Sequence, residues 1–121
     1  MEVSIYVDGA GGEKSGYGFF VKETGESFYE NKSGLTNNQA EYHAIIAVLK
    51  KFQGSLDKIT IFSDSKNTVN QLNHEFAINN EQLRILAQES WSLIPKIPEL
   101  KILWIPRKEI WQERCLEVNL E

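Results

Sequence analysis

The feature that most constrains this chain is a helix-forming segment, residues 34–49, with one acid on its apolar side. Thr36 is followed three residues later by Gln39, the pattern of a capping box, so a helix is predicted to begin near Asn37. Apolar residues then recur at helical spacing and define a face that packs against a core: Ile45, Val48, Leu49 and Phe52.

Glu41 precedes Ile45 by four residues, so its side chain is predicted to point towards this apolar face. An ionised carboxylate against a core is costly unless a cation or a hydrogen-bond donor compensates it. In the alternative interpretation, Glu41 lies at the rim of the face and is solvated. The helix alone favours the solvated interpretation, and the other acids of the chain favour the first.

Two other acids follow strand-like segments. Asp8 ends the apolar run from Ile5, and Asp64 ends the run from Ile59. Ligands bind at the carboxyl ends of parallel strands in open α/β sheets, so both aspartates and Glu41 are predicted to converge. Three oxygen ligands suit Mg²⁺ or Mn²⁺ rather than zinc.

Each aspartate also has a purely structural interpretation. Asp8 followed by Gly9 is a common hairpin turn, and Asp64 or Ser65 is well placed to cap a helix that begins at Lys66. A carboxylate at a strand-to-helix junction serves both capping and metal binding, so the second alternative stays open.

The order of elements predicts an α/β sheet. The first three strands have connections too short for a crossover and are predicted to be antiparallel, whereas the fourth follows a helix and is predicted to be parallel. The predicted strands are 3–8, 16–22, 27–32, 58–63 and 100–105, and the predicted helices are 37–54, 66–73, one from Asn79–Asn80 to Pro95, and 109–120.

Composition bounds the class of protein. With 121 residues, 41% of them hydrophobic, one domain over residues 1–121 is expected. The net charge of −4 argues against tight non-specific binding of a polyanion. The lone Cys115 has no disulfide partner in the chain, and no signal peptide or membrane span is recognisable, so a cytoplasmic protein is expected.

Three motifs in this order resemble type 1 ribonuclease H, over a span from about Ser4 to Arg107. They are Tyr6-Val-Asp8-Gly9-Ala10, then Thr36-Asn-Asn-Gln-Ala-Glu41-Tyr, then Ser63-Asp64-Ser65 with Val69-Asn-Gln-Leu72 after it. The resemblance implies an α/β ribonuclease H-like fold, a five-stranded mixed sheet whose first three strands are antiparallel, flanked by helices. It also implies hydrolysis of the RNA strand of RNA/DNA hybrids by two Mg²⁺ or Mn²⁺ ions held on an Asp, Glu, Asp, Asp set.

The family's roles transfer to positions that match its motifs. Asp8, Glu41 and Asp64 become the catalytic metal ligands, with Asp8 bridging the two ions. The segment 37–39 would read the 2′-hydroxyls of the minor groove, although Asn is also favoured in helix caps and turns. The residues expected to contact the substrate are Gly9, Ala10, Asn37, Asn38, Gln39 and Asn70.

The chain departs from the family at the fourth acid. Matching Arg107 to the family pattern puts Arg114 where that aspartate belongs, and a guanidinium repels a metal ion. Glu113 would substitute only if the segment shifts by one residue, about 100° of helix rotation. Glu109 and Glu117 are further stand-ins without a better claim. Weak or Mn²⁺-dependent activity is therefore expected.

The loop after Asp8 is also shorter than in the family and has no proline, which places its contact with substrate in doubt. The main rival is a catalytically silent ribonuclease H-like module that binds nucleic acid or a protein, with unknown oligomeric state. A 3′-to-5′ exonuclease of related fold is ranked lower, because Ala10 occupies the position where its second acid would stand.

Overall fold

The computed structural model describes the backbone of residues 1–120 and the side chains as far as Glu113. The strands are β1 (Glu2–Ala10), β2 (Gly16–Val21), β3 (Ser27–Asn31), β4 (Lys58–Ser63) and β5 (Leu100–Trp104). The helices are α1 (Asn37–Phe52), α2 (Lys66–Leu72), α3 (Glu81–Leu93) and α4 (Arg107–Leu120), and a 3₁₀ turn, Ile94–Lys96, follows α3.

The five strands form one mixed sheet in the order β3-β2-β1-β4-β5. β1 pairs with β2, and β2 with β3, in antiparallel fashion, whereas β4 pairs with both β1 and β5 in parallel. The predicted fold class is therefore confirmed. In the part of the chain that the structure describes, no helix is long and apolar enough to cross a membrane.

α1 begins where its capping box requires. The Thr36 hydroxyl accepts a hydrogen bond from the Gln39 N–H at 3.1 Å, and the Gln39 side chain accepts one from the Thr36 N–H at 2.9 Å. The apolar face of the helix then packs on one face of the sheet. The core between them includes the fully buried Ile5, Val7, Ile45, Val48, Leu49, Ile59 and Ile61.

α4 covers part of the opposite face of the sheet. Ile110, 3% exposed, packs there with Tyr6 and Phe20, and the Tyr6 ring stacks on Phe62 with centroids 5.0 Å apart. The sheet is thus sandwiched between α1 and α4, and the two helices approach it from opposite sides.

β1 is longer than the sequence pattern predicts. Asp8 was expected at the end of the strand, but Gly9 and Ala10 continue the antiparallel pairing with Tyr17 and Gly16 of β2. The parallel pairing of β1 with β4, by contrast, ends at Tyr6 and Phe62. The pairing of β1 with β2 thus extends further along the chain than its pairing with β4. Asp8 therefore lies within β1 but beyond its last residue paired with β4.

Candidate active site

Glu41 joins α1 to both central strands. Its carboxylate is 4% exposed, and Oε1 accepts a hydrogen bond from the Gly9 N–H of β1 at 2.9 Å. Oε2 accepts one from the hydroxyl of Ser63, at the end of β4, also at 2.9 Å. Glu41 is thus buried and hydrogen-bonded, and the solvated-rim interpretation of this residue is wrong.

Gly9 makes this arrangement sterically possible. A Cβ at position 9 would lie 2.5 Å from the Ala40 carbonyl carbon and 2.6 Å from the Glu41 nitrogen, closer than real Cβ atoms approach. Only glycine therefore lets the first turns of α1 pack directly on β1. The result is that the Glu41 carboxylate reaches the strand backbone instead of being held away from it.

The surroundings of Glu41 disfavour its charge. Burial, with the charges of Asp64 and Asp8, raises the pKa of Glu41 to about 8, even though the hydrogen bonds from Ser63 and Gly9 lower it. Donors alone therefore do not offset the cost of the buried carboxylate. A buried carboxylate whose pKa is raised by neighbouring acids is typical of a site that binds a cation.

The register of the parallel pair places the two aspartates side by side. Tyr6 of β1 pairs with Phe62 of β4, and Asp8 and Asp64 each follow two residues later. Both strands point the same way, so both carboxylates lie at the same end of the sheet, next to Glu41. The Asp64 side chain is only 10% exposed.

Arg107, the first residue of α4, reaches into this group. Its Nε donates a hydrogen bond to Asp64 Oδ2 at 2.8 Å, while its own side chain is 70% exposed. The hydrogen bond and charge of Asp64 raise the pKa of Arg107 above its ordinary value, and Asp8 and Glu41 add to the effect. The charges of all three acids therefore stabilise the protonated form of the guanidinium.

The donor set fits hard divalent cations in its chemistry, since all three side chains offer only carboxylate oxygens. No group of three acidic, histidine or cysteine side chains is preassembled as a metal site within the described residues. Each Glu41 oxygen accepts one hydrogen bond and keeps a second lone pair. Asp64 Oδ2 accepts a hydrogen bond from Arg107, so a metal ion at Asp64 would bind Oδ1 or share Oδ2 with the guanidinium.

The residues expected to contact substrate differ in their exposure and in their hydrogen bonds within the protein. Gly9 is buried and its N–H is committed to Glu41, whereas Ala10 is exposed at the end of β1. Asn37 is exposed, but its Oδ1 accepts the Gly11 N–H at 2.7 Å and ties the loop after β1 to α1. Gln39 closes the capping box and donates to Gln82 of α3.

Asn38 and Asn70 are half-buried. Asn38 lies in the first turn of α1, while Asn70 lies in α2, where its backbone oxygen accepts hydrogen bonds from the N–H groups of Glu75 and Phe76. The structure therefore brings the segment 37–38 near the acids and gives Gln39 a structural task as well.

Glu113 lies near Lys22 and Tyr6. Its carboxylate pairs with Lys22, 3.3 Å away, and Lys22 follows β2 where its N–H donates to the Ser4 oxygen. The charge of Glu113 also raises the pKa of Tyr6, which lies two residues before Asp8 in β1. Arg114 and Glu117 lie outside the side chains that the structure describes.

Comparisons with known proteins identify the same fold and a family. A family model described as RNase H matches residues 1–107. This chain belongs to the RNase H family. A search of curated proteins gives no match.

Solved RNase H structures superpose closely on the chain. RNase H1 from the halophilic archaeon Halobacterium salinarum NRC-1 is 27% identical, with a TM-score of 0.83 over 96% of this chain and 94% of that one. The N-terminal RNase H domain of rv2228c from Mycobacterium tuberculosis is 24% identical, with a TM-score of 0.80 and coverages of 88% and 84%. LC11-RNase H1 in complex with an RNA/DNA hybrid is 22% identical, with a TM-score of 0.79 and coverages of 88% and 87%. The last two likenesses bear on the fold alone.

Sequence reasoning missed two residues of this RNase H site. Ser63, fully buried, orients Glu41 and also accepts the Ser65 N–H at 3.0 Å. Arg107 was noted only as the start of a family pattern. The signal that could have found it is its position three residues after the end of β5, whose carboxyl end lies beside that of β4 in a parallel pair.

Proposed function

We propose that this chain is a metal-dependent endonuclease that hydrolyses the RNA strand of RNA/DNA hybrids. The observation that carries the proposal is the buried Glu41 carboxylate, held between Gly9 of β1 and Ser63 of β4 next to Asp8 and Asp64. A structural role alone gives no reason to bury an acid among two others, because the three charges repel one another. Their convergence is explained if cations bind there.

Asp8, Glu41 and Asp64 would hold two Mg²⁺ or Mn²⁺ ions. When bound, such ions neutralise charge on the phosphoryl oxygens and lower the pKa of a water that attacks the phosphodiester. The contribution of this chain is to fix the oxygens: Gly9 and Ser63 orient Glu41, and the β1–β4 register aligns Asp8 with Asp64. Asn37 and Asn38, at the entrance of α1, would read the 2′-hydroxyls.

We further propose that activity is weak or favours Mn²⁺, since Arg114 stands where the family has its fourth acid. Substitution of Arg114 tests whether this residue limits the activity. Arg114→Asp should raise the cleavage rate with Mg²⁺, whereas the charge-preserving Arg114→Lys should leave the rate at the wild-type level. An unchanged or lower rate in Arg114→Asp would contradict the idea.

The test of the main proposal is cleavage of an end-labelled RNA/DNA hybrid with Mg²⁺ or Mn²⁺, run beside single-stranded RNA and duplex RNA. Cutting confined to the RNA of the hybrid, and lost in Asp64→Asn, is the expected result. Cleavage of single-stranded RNA at an equal rate would instead indicate a different nuclease specificity.

A second candidate is a silent RNase H-like module that binds nucleic acid or a protein. One observation favours it: Arg107 already neutralises part of the Asp64 charge, at 2.8 Å. In that case, the folded protein would cut no substrate with either metal. Its affinity for the hybrid would be unchanged by a metal chelator and by Asp64→Asn. Metal-dependent binding argues for the nuclease instead.

Two coarser expectations belong to the same proposal. One domain spanning residues 1–121 is supported by the single sheet that β1 to β5 build from Glu2 to Trp104. A reducing cytoplasmic setting is supported by the lone Cys115, which leaves the chain without an internal disulfide.

A further inference from the structure

An exposed tyrosine lies on the same face of the sheet as Asp8. Asp8 of β1 pairs with Gly18 of β2, and Gly18 pairs with Tyr29 of the edge strand β3, so the three form one row across the sheet. Tyr29 is 56% exposed. Two strand spacings separate its Cα from that of Asp8, roughly 10 Å.

Two glycines hold this ring against the sheet. A Cβ at Gly18 would lie 3.0 Å from Tyr29 Cδ1, and a Cβ at Gly16 would lie 2.8 Å from Tyr29 Cζ. The ring therefore lies over the backbone of β2, in space that any other residue at these positions would fill. One side of the ring rests on glycine, and the exposed fraction of the side chain belongs to the other side.

The two rows of the sheet at the ring carry little charge. The next row along the strands consists of Ala10, Gly16 and Asn31. Glu30 faces the other side of the sheet, where its carboxylate accepts a hydrogen bond from the Tyr17 hydroxyl. Of the six residues in the two rows, Asp8 alone is charged. A polyanion that meets the acids can therefore continue across this surface without repulsion.

We propose that Tyr29 is a stacking platform for an unpaired base next to the RNA/DNA hybrid. This inference rests on the proposed function, because it assumes that a hybrid is cut beside Asp8. Inside a duplex each base is covered by its neighbours, whereas a base in an adjoining single strand has a free face that stacks on aromatic rings. Because the glycines already orient the ring, little conformational entropy is lost when a base binds.

The distance sets where the unpaired base must be. With the nucleic acid running along this row of the sheet, roughly 10 Å corresponds to about three base steps at a rise of about 3.4 Å per step. The proposal therefore assigns the chain a preference for hybrids that end within about three nucleotides of the cut, with a single-stranded extension beyond that point.

The experiment compares blunt RNA/DNA hybrids with hybrids that carry four unpaired nucleotides at one strand end, each of the four ends in turn. Wild type should show a KM about 5-fold to 20-fold lower for one extended hybrid than for the blunt one, with kcat unchanged. Tyr29→Leu should remove this difference, and Tyr29→Phe, which keeps the ring, should retain it. Cuts should cluster within about three nucleotides of the junction.

Several outcomes overturn the inference. If wild type cuts blunt and extended hybrids with the same KM, or if Tyr29→Leu keeps the preference, the platform is refuted and the proposed function stands. If wild type cuts no hybrid, the proposed function fails and the inference fails with it. Circular dichroism melts verify that each variant is folded, and Tyr29→Thr, a good strand former, replaces Tyr29→Leu if that variant unfolds.

Discussion

The burial of Glu41 predicts an unusual dependence of stability on pH. The pKa of Glu41 in the folded chain is about 8, against an ordinary value of 4.5, because burial disfavours the charged form. Without divalent metal, the unfolded chain therefore loses the Glu41 proton at a lower pH than the folded chain does. The free energy of unfolding should fall as the pH rises from about 4.5 to about 8, and this contribution should then level off.

The size of the effect follows from the two pKa values. At about 1.4 kcal/mol per pKa unit, a rise from 4.5 to about 8 corresponds to a loss of about 5 kcal/mol. Since domains of this kind are stable by only about 5–15 kcal/mol, such a loss is large enough to measure.

Glu41→Gln isolates this contribution. An amide can accept the Gly9 N–H with its oxygen and donate to the Ser63 hydroxyl with its nitrogen, as a protonated carboxyl group would. The variant should therefore match wild type within about 1 kcal/mol at pH 5, and should exceed it by about 5 kcal/mol at pH 8.5.

Urea unfolding followed by tryptophan fluorescence, in EDTA at pH 5, 6.5 and 8.5, measures these differences. Ser92→Ala, an exposed substitution in α3, serves as a control whose stability should follow wild type at each pH. Equal pH slopes for wild type and Glu41→Gln would refute the reasoning, as would a variant less stable than wild type at pH 8.5. Added Mg²⁺ should raise the stability of wild type at pH 8.5 more than that of the variant.

Three further outcomes follow from single contacts. Gly9→Ala should lower the free energy of unfolding by about 2 kcal/mol or more in chemical denaturation and abolish cleavage, because its Cβ would lie 2.5 Å from the Ala40 carbonyl carbon. Thr36→Ala should lower it by about 1 kcal/mol while the helix persists by circular dichroism, because the capping hydrogen bond to Gln39 is lost. Asp64→Asn should abolish hybrid cleavage yet change stability by less than about 1 kcal/mol in the same melts, because its ion-pair partner is largely exposed. A large loss of stability in this variant would indicate a structural role instead.

Local signals in the sequence predicted the helix that organises the site. Thr36 and Gln39 fix the start of α1 through contacts only three residues apart, and the start at Asn37 is confirmed. Strand identity and direction were also predictable, because alternation and connection length are local properties. The mixed sheet confirms both.

The end of β1 was not predictable in the same way. Asp8 followed by Gly9 is a turn signal when considered locally, but pairing with Tyr17 and Gly16 of β2 extends the strand to Ala10. Pairing over such distances depends on the register of the whole hairpin, which a short motif does not contain.

Long-range contacts decide the remaining details of the site. The Arg107–Asp64 ion pair joins residues 43 positions apart, and the Lys22–Glu113 pair joins residues 91 apart. Both depend on where α4 begins relative to the sheet. The sequence predicted which acids form the site, and the structure shows that the cationic side chain of Arg107 lies beside Asp64.

The central claim is that Asp8, Glu41 and Asp64 act together on a hybrid. The most direct measurement is single-turnover cleavage of an end-labelled RNA/DNA hybrid in Mg²⁺ and in Mn²⁺, for wild type and for Asp8→Asn, Glu41→Gln and Asp64→Asn. The account predicts cleavage of the RNA strand by wild type and loss of cleavage in each of the three variants, all of which remain folded. Cleavage that survives in any of the three folded variants, or a folded wild type that cuts with neither metal, would contradict it.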